Sequence, residues 1–386
     1  MYSFMQTEKY LKVARVTQQL CHSCNQNSIV FASRKIFKDC KSSTTTKSSL
    51  QSKFNEELYM KIALRHGAGG EETSKLIHDI FASHFQNEIL NKMEDAAVLP
   101  KLDGVPVFTS DSFVVEPLFF PGGDIGKLSV CGTVNDLTCM GAKPLYLTAS
   151  FILETGLDSE TLEKVVASMA ATAEEAGVKI VAGDTKVVEG NSGLYINTAG
   201  IGARPSVCNI SAANLKPKDA VIITGTLGDH HATILTQRLQ METSLQSDCA
   251  PLNHMVQAVL DAGVDVHTIR DITRGGLATV ATELAEASGC RINLEEEKLP
   301  VCEAVKGLSG ILGLDPLTMG NEGKMLVAVP HSEAEKALAI LQNTKYGKDA
   351  VIAGEVTEGT GVYLLTVLGS YRKVLPLRGE GLPRIC

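Results

Sequence analysis

The sequence predicts an α/β protein of the α+β type, with two mixed domains and a flexible tail. Its 386 residues are enough for two hydrophobic cores. Strand-like apolar runs alternate with helix-like periodic segments through both halves, which favours mixed domains over an all-α or all-β fold. The composition is that of an ordinary globular protein, with 44% apolar and 21% charged residues.

Four segments are predicted along the chain. They are a disordered extension over 1–59, a first domain over 60–205, a second over 206–372 and a tail over 373–386. The extension carries nine Lys or Arg against four Asp or Glu, and seven of the ten residues in 41–50 are Ser or Thr, which is typical of disorder. It is either a transit-like segment or sequence upstream of a true start at Met60, and the second is favoured because MKIALRHGAGG is typical of the opening of a compact domain.

Regular elements are expected throughout both domains. Strands are predicted at 61–65, 105–115, 179–185, 194–203, 220–225, 324–330, 351–356 and 362–368. Helices are predicted from Glu71 onward and at 124–140, 159–176, 230–240, 252–262, 275–288 and 332–342. Ser159 is the expected N-cap of its helix.

Composition excludes several function classes. A net charge of −8 argues against a nucleic-acid partner, and no apolar run approaches the roughly 18 residues that cross a bilayer. The ten cysteines are scattered, mostly in apolar surroundings, which favours buried thiols and a cytoplasmic protein. The one CxxC, Cys21 to Cys24, is a weak candidate for a metal or redox site.

Four acidic residues lie where a first-half strand or helix is predicted to end. They are Asp95, Asp111, Asp136 and Asp184. Each stands among Ala, Val, Thr or Gly, where an unpaired carboxylate is costly to bury. Any one of them is about equally well explained as an N-cap or turn residue, but together they favour Mg²⁺, which prefers carboxylate oxygens and bridges enzymes to nucleotide phosphates.

The stretch HGAGGEE places Gly67, Gly69 and Gly70 directly before a predicted helix. Such a turn can direct backbone N–H groups at an anion, although a plain strand-to-helix turn would look the same. It matches neither the Walker nor the Rossmann pattern. A phosphate-binding loop is favoured only in combination with the carboxylates.

Four features of the second half are also chemically suggestive. DITRGGL joins Asp271 to an arginine and paired glycines, and GNEGK places Glu322 in a glycine turn before an apolar strand. His230 and His231 are as well explained by structure as by function. Cys386 is the last residue of the sequence, on a segment that Gly and Pro keep irregular.

The order of EDAAV, TSDSF, VNDL, AGDTK, LGDH, DITRGGL and NEG resembles the ATP-binding superfamily of aminoimidazole ribonucleotide synthetase and selenophosphate synthetase. PLFFPGGDIGKL, AGDTKVV and the terminal PRIC resemble more closely one family within it, the HypE carbamoyl dehydratases of hydrogenase maturation. The resemblance runs from about Met60 to Cys386.

This resemblance implies a two-domain aminoimidazole ribonucleotide synthetase-like fold and a reaction on the terminal cysteine. In that family the carbamoyltransferase HypF loads a carbamoyl group on the thiol, ATP with Mg²⁺ drives its dehydration to an S-cyanate, and the cyanide passes to iron on the HypC–HypD complex. The catalytic residues implied here are Cys386, Glu322 as base, and Lys186. The implied nucleotide site comprises Gly67, Gly69, Gly70, Asp95, Asp111, Asn135, Asp136, Asp184, Thr185 and Asp271. A homodimer formed through the first domains is also implied.

The tail has the reach that this reaction needs. Residues 378–386 extend to at most about 30 Å, at roughly 3.3–3.6 Å per residue. Arg384 is expected to offset the terminal carboxylate, whose charge raises the pKa of the thiol. Two alternatives stay open: another ATP-dependent synthetase of the superfamily, acting on selenide or on a ribonucleotide, and a non-catalytic scaffold whose cysteine transfers metal.

Overall fold

The computed structural model describes residues 60–379 and 381–386. The predictions made for 1–59, including the CxxC pair, lie outside the described residues. Within them, Lys61–Cys386 form one compact unit. No helix in this part of the chain is both long and apolar enough to cross a membrane.

The helices and strands of the described residues alternate along the chain. The helices are α1 (Glu71–Leu76, continued by a π-helical turn at Ile77–Ala82), α2 (Ile125–Cys139), α3 (Ser159–Ala176), α4 (Asp229–Arg238), α5 (Asn253–Asp261), α6 (Gly276–Ser288), α7 (Glu303–Leu312) and α8 (Ala334–Gln342). The strands are β1 (Val105–Phe113), β2 (Phe119–Phe120), β3 (Gly123–Asp124), β4 (Lys143–Glu154), β5 (Lys179–Val188), β6 (Leu194–Arg204), β7 (Asp219–Ile223), β8 (Thr268–Asp271), β9 (Arg291–Glu295), β10 (Met325–Pro330), β11 (Val351–Thr357), β12 (Gly361–Leu365) and β13 (Tyr371–Val374). The predicted mixed α/β class is therefore confirmed.

The first half is a four-stranded sheet in the order β1-β6-β4-β5. Only β4 and β5 run parallel, and α3 makes the crossover that a parallel pair requires. Helices α2 and α3 pack on one face. The other face carries exposed side chains, among them Phe108, Ile152 and Val188.

Helix α2 is buried almost all round, which is typical of a helix enclosed by protein on every side. Its N-cap is Asp124, whose Oδ1 accepts hydrogen bonds from the backbone N–H groups of Gly126 (2.7 Å) and Lys127 (3.1 Å). Ser168 on α3 donates to the other carboxylate oxygen at 2.6 Å. These contacts fix the helix that later presents Asp136.

The second half is a seven-stranded sheet in the order β13-β12-β9-β11-β7-β10-β8. Separate apolar clusters cover its two faces, so both sides of the central strands are buried. Strand β8 lies at one edge, and Asp271 is its last residue. The edge position brings this carboxylate toward the first half.

Two local predictions were wrong. The segment 61–65 is not a strand: only Lys61 pairs, in a single bridge with Asp158, before a 3-10 turn at Leu64–Gly67. The N-cap of α3 is Asp158, and Ser159 is the first helical residue.

Candidate active site

A cavity of about 520 Å³ lies between β1 and α2 of the first half and β8 and α6 of the second. Both halves contribute acidic side chains to its wall. The predicted residues that line it are Asp111, Asp136, Asp271, Glu322 and Cys386. The fold therefore gathers five residues from distant parts of the sequence.

The first half supplies two carboxylates. Asp111 lies on β1, and Asp136 lies in the last turn of α2. The hydroxyl of Thr109 donates to Asp136 Oδ2 at 2.9 Å. Burial raises the pKa of Asp136, and the charge of nearby Asp111 raises it further.

The second half supplies Asp271 together with two arginines. Burial raises the pKa of Asp271 to about 6, and the charge of Asp136 adds to the shift. Arg270 and Arg274 line the same cavity, and Arg270 is paired with Glu283 at 2.9 Å. The cavity therefore holds both anionic and cationic groups, as a site for a metal-bound phosphate requires.

Glu322 lies in the turn before β10 and is buried. Its backbone N–H donates to Asp248 Oδ1 at 3.0 Å. A Cβ on Gly323 would lie 1.8 Å from the carbonyl oxygen of Asp248, so only glycine fits this close approach. Burial, followed by the negative charges around it, raises the pKa of Glu322 well above its usual range.

Cys386 ends the arm, which we define as residues 381–386, and lines the cavity together with Glu322. Burial, followed by the charge of Glu322, raises the pKa of the thiol. Arg384 pairs with Glu116 at 2.7 Å. The cation that lowers the pKa of the thiol is Arg274, which corrects the role expected of Arg384.

Two predicted residues, Asp184 and Lys186, lie on the exposed face of the first sheet instead, whereas Thr185 between them is buried. Asp184 pairs with Lys186 at 2.9 Å, and both side chains are more than half exposed, at 59% and 64%. Asp184 also accepts from the N–H of Thr185 at 2.8 Å. The strand order places β5 three strands from β1, or roughly 14 Å at about 4.8 Å per strand. Within one chain, Lys186 is therefore remote from Glu322.

The remaining predicted residues also lie outside the cavity wall. Asp95 is exposed in the irregular segment before β1. Asn135 is buried and joins α2 to the second half: its Nδ2 donates to the Ala250 carbonyl at 3.0 Å and its Oδ1 accepts from Leu252 N–H at 2.8 Å. The glycines Gly67, Gly69 and Gly70 form the turn into α1, where Gly70 is the N-cap.

The carboxylates of the cavity suit a hard cation such as Mg²⁺ only when a bound ligand supplies further oxygen atoms. Within the described residues, no three His, Cys, Asp or Glu side chains are grouped to hold a metal ion by themselves. Mg²⁺ commonly takes one or two carboxylates and completes its shell with phosphate oxygens and water. Asp111, Asp136 and Asp271 fit that arrangement because two of them have pKa values raised by burial, a cost that a cation offsets.

Sequence reasoning missed Asp248 and left His230 open between a structural and a functional role. Asp248, which holds the Glu322 backbone, lies in an irregular segment more than seventy positions earlier. His230 donates from Nε2 to the Ile385 carbonyl at 2.7 Å. A carboxylate among apolar residues, in SDCAPL, was the one signal that marked Asp248.

Comparison with protein families matches most of the chain. Residues 93–203 match the N-terminal domain of AIR synthase related proteins, and residues 216–366 match the C-terminal domain.

Individual relatives are similar over nearly their full length. The chain is 47% identical over 334 residues to the carbamoyl dehydratase HypE of Escherichia coli K12, an alignment that covers 84% of this chain and 99% of the relative. A solved structure of hydrogenase maturation protein HypE in complex with ATP superposes with a TM-score of 0.81 at 44% identity, covering 84% of this chain and 99% of the other. HypE from a solved HypE–HypF complex gives 0.69 at 49% identity, covering 78% and 99%.

Proposed function

The chain belongs to the HypE family of carbamoyl dehydratases, within the AIR synthase related proteins, and from this premise we propose the reaction at Cys386. The enzyme uses ATP to dehydrate a carboxamide on its own terminal thiol to a thiocyanate, for hydrogenase maturation. The observation that carries this is that Cys386 and Glu322 line the same acidic cavity. The synthetase and scaffold alternatives have no comparable support.

The proposed dehydration has two chemical steps, phosphorylation of the carboxamide oxygen and elimination of phosphate. The carboxamide oxygen attacks the γ-phosphorus of ATP, ADP leaves, and one N–H proton is lost from nitrogen. Loss of the second N–H proton then forms the C≡N bond as the C–O bond breaks, and the oxygen leaves with inorganic phosphate. Phosphorylation is needed because an oxide or hydroxide is a far poorer leaving group than phosphate.

Glu322 is the residue placed to take a proton from the carboxamide nitrogen. A carboxamide on Cys386 would extend from a sulfur that lines the same cavity as this carboxylate. Burial raises the pKa of Glu322, so its ionised form is a stronger base than a solvated glutamate. Its hydrogen-bonded backbone fixes the turn that presents it.

We assign nucleotide phosphates to the cavity wall beside Asp111, Asp136 and Asp271. Mg²⁺, when bound there with the phosphates, neutralises their charge and polarises the transferring group. Arg274 supplies a further cation at the same wall. The other predicted nucleotide or catalytic residues do not reach the cavity within one chain, and their roles stay predictions. They are Asp95, Asn135, Asp184, Thr185, Lys186 and the glycine turn.

We propose a homodimer through the open face of the first sheet. Phe108 is 67% exposed there, and Ile152 and Val188 are also exposed, an apolar surface that a second copy would bury. Asp184 and Lys186 lie on the same face, so a dimer would place them at an interface. Replacement of Phe108 by Glu should leave a monomer in sedimentation equilibrium, and an unchanged mass would contradict this interface.

The reaction also defines partners. A carbamoyltransferase of the HypF type must reach Cys386 to load it, and an iron-bearing acceptor of the HypC–HypD type must take the cyanide. We place these steps in the cytoplasm, where reducing conditions keep a terminal thiol free.

Intact-mass spectrometry tests the proposal. The protein is incubated with HypF, carbamoyl phosphate and Mg-ATP, and we expect the gain of one carbamoyl group followed by the loss of one water. Cys386→Ala should show neither change, whereas the matched variant Cys302→Ala, which removes another partly exposed thiol, should show both. Loading of Cys386→Ala at the wild-type rate would contradict the assignment.

A further inference from the structure

The docked arm is held mainly through its backbone, by groups that the reaction itself does not use. One guanidinium, that of Arg238 at the last residue of α4, makes two of these bonds and a third bond to Glu116 outside the arm. Its Nη1 donates to the Pro383 carbonyl at 2.6 Å, its Nη2 to the Arg384 carbonyl at 2.5 Å, and its Nε to the Glu116 carbonyl at 2.8 Å. Arg238 thus ties the arm to the segment between β1 and β2.

Two further contacts continue the same attachment toward the thiol. The Glu116 N–H donates to the Arg384 carbonyl at 3.1 Å, and the two side chains form an ion pair at 2.7 Å. His230 Nε2 donates to the Ile385 carbonyl while Nδ1 accepts from the Ser247 hydroxyl, both at 2.7 Å. Burial lowers the pKa of His230 to about 4, so the neutral ring with Nε2–H is the form that fits both partners.

His230 and Arg238 differ in how much of the surrounding structure depends on them. His230 is fully buried and its ring packs edge-on against Phe120 at 5.4 Å, so its removal would disturb the core. Arg238 is only half-buried, and the carbonyls that it binds can reach water when the arm leaves. A charged three-donor fork is a strong but reversible attachment under these conditions.

The proposed reaction needs the arm in two places. In the docked position Ile385 is buried in the first-half core, and Cys386 lines the cavity beside Glu322. Loading by a separate enzyme requires the thiol to enter a different active site, which the docked arm does not allow. Some group must therefore set the balance between docked and released arm.

We propose that Arg238 is the positioning residue that sets this balance, an inference that rests on the proposed function. It holds the arm so that the carboxamide on Cys386 reaches Glu322, and its guanidinium must release the Pro383 and Arg384 carbonyls before loading. Its removal therefore has opposite effects on the two half-reactions: loading becomes faster and dehydration slower. A residue that only stabilised the fold would slow both.

Thiol reactivity tests the arm position without any carbamoyl chemistry. Iodoacetamide is added to the full chain and alkylation of Cys386 is followed by peptide mass spectrometry. We expect at least a tenfold faster reaction in Arg238→Ala, and a smaller increase in Glu116→Gln, which loses only the ion pair. Arg204→Ala is the matched control, because Arg204 also donates to a carbonyl, that of Met140 at 3.2 Å, but away from the arm.

Buried Cys290 reports on folding in the same experiment. If Arg238→Ala also exposes Cys290, the variant Arg238→Lys replaces it, since the lysine keeps the charge and aliphatic stem but not the fork, and Cys386 should still react faster. Unchanged Cys386 reactivity in a folded Arg238 variant would overturn the proposal.

The two half-reactions then separate this proposal from the proposed function. Loading by HypF and the subsequent loss of water are timed by intact mass in wild type and Arg238→Ala, and a faster first step with a slower second supports the inference. Equal slowing of both steps would overturn it. If Cys386 is alkylated faster in Arg238→Ala but the carbamoylated wild type never loses water, the two proposals separate. Arg238 would still hold the arm, and the proposed dehydration would be refuted.

Discussion

Asp271 and Asp184 are carboxylates of similar sequence context in contrasting environments. Both follow a strand-like run, in RDIT and AGDT. Asp271 lies in the cavity between the halves, where burial raises its pKa to about 6. Asp184 lies on the open sheet face, where the hydrogen bond from Lys186 lowers its pKa. Strand order, rather than local sequence, therefore decides which acidic residues are buried with a raised pKa.

The largest expected difference between the two regions is catalytic. Glu322→Gln keeps the shape of the cavity but removes its base, so dehydration should fall by about 10²–10⁴-fold, the usual contribution of a general base. Loading should be unaffected. The rate of water loss from carbamoylated protein, followed by intact mass, measures this, and near-wild-type dehydration would refute the role of Glu322.

A second difference should appear in stability. The pKa of Asp271 is raised in the folded protein from about 3.8 to about 6, so the folded state binds more protons between these pH values. The free energy of unfolding of the wild type should therefore fall as pH rises through this window, by about 3 kcal/mol at roughly 1.4 kcal/mol per pKa unit. Asp271→Asn should lack this loss, so it should be the more stable protein at pH 7.5 but not at pH 3.5.

Urea unfolding of the metal-free, nucleotide-free protein at both pH values measures this difference. A variant that is less stable than wild type at pH 7.5 would show that the carboxylate is well satisfied in the cavity. A separate assay of Mg-dependent ATP turnover by Asp271→Asn tests the nucleotide assignment, which predicts that turnover is lost.

The smallest effect is expected on the open face. Asp184→Asn breaks an exposed ion pair with Lys186, and such pairs contribute about 0–1 kcal/mol. The melting temperature of the isolated chain should barely change. If ATP turnover falls sharply while the melting temperature does not change, Asp184 acts across a dimer interface. The functional difference between Asp184 and Asp271 would then be smaller than their different burial suggests.

The sequence predicted the local elements better than their assembly. Helix α3 was expected at 159–176 and found at Ser159–Ala176, because its apolar positions repeat at the helical period. Strand β4, Lys143–Glu154, was missed. It pairs with both β5 and β6, but Pro144 near its start weakens its strand pattern.

The site shows the same division. The sequence predicts Glu322 and Cys386 as site residues. Their positions are held by Asp248, His230 and Arg238, which bind partners more than seventy positions away in the chain. The composition of the tail predicts an irregular segment but does not predict that it docks. Only the three-dimensional arrangement of carbonyl acceptors and their donors provides that information.

If the carboxamide oxygen leaves as phosphate, its position after one turnover shows this directly. Cys386 is loaded with a carbamoyl group whose carbonyl oxygen carries a heavy isotope, and a single turnover with Mg-ATP is analysed by mass spectrometry. The account predicts one labelled oxygen in inorganic phosphate for each thiocyanate formed. Thiocyanate formed with the label in water and unlabelled phosphate would contradict it.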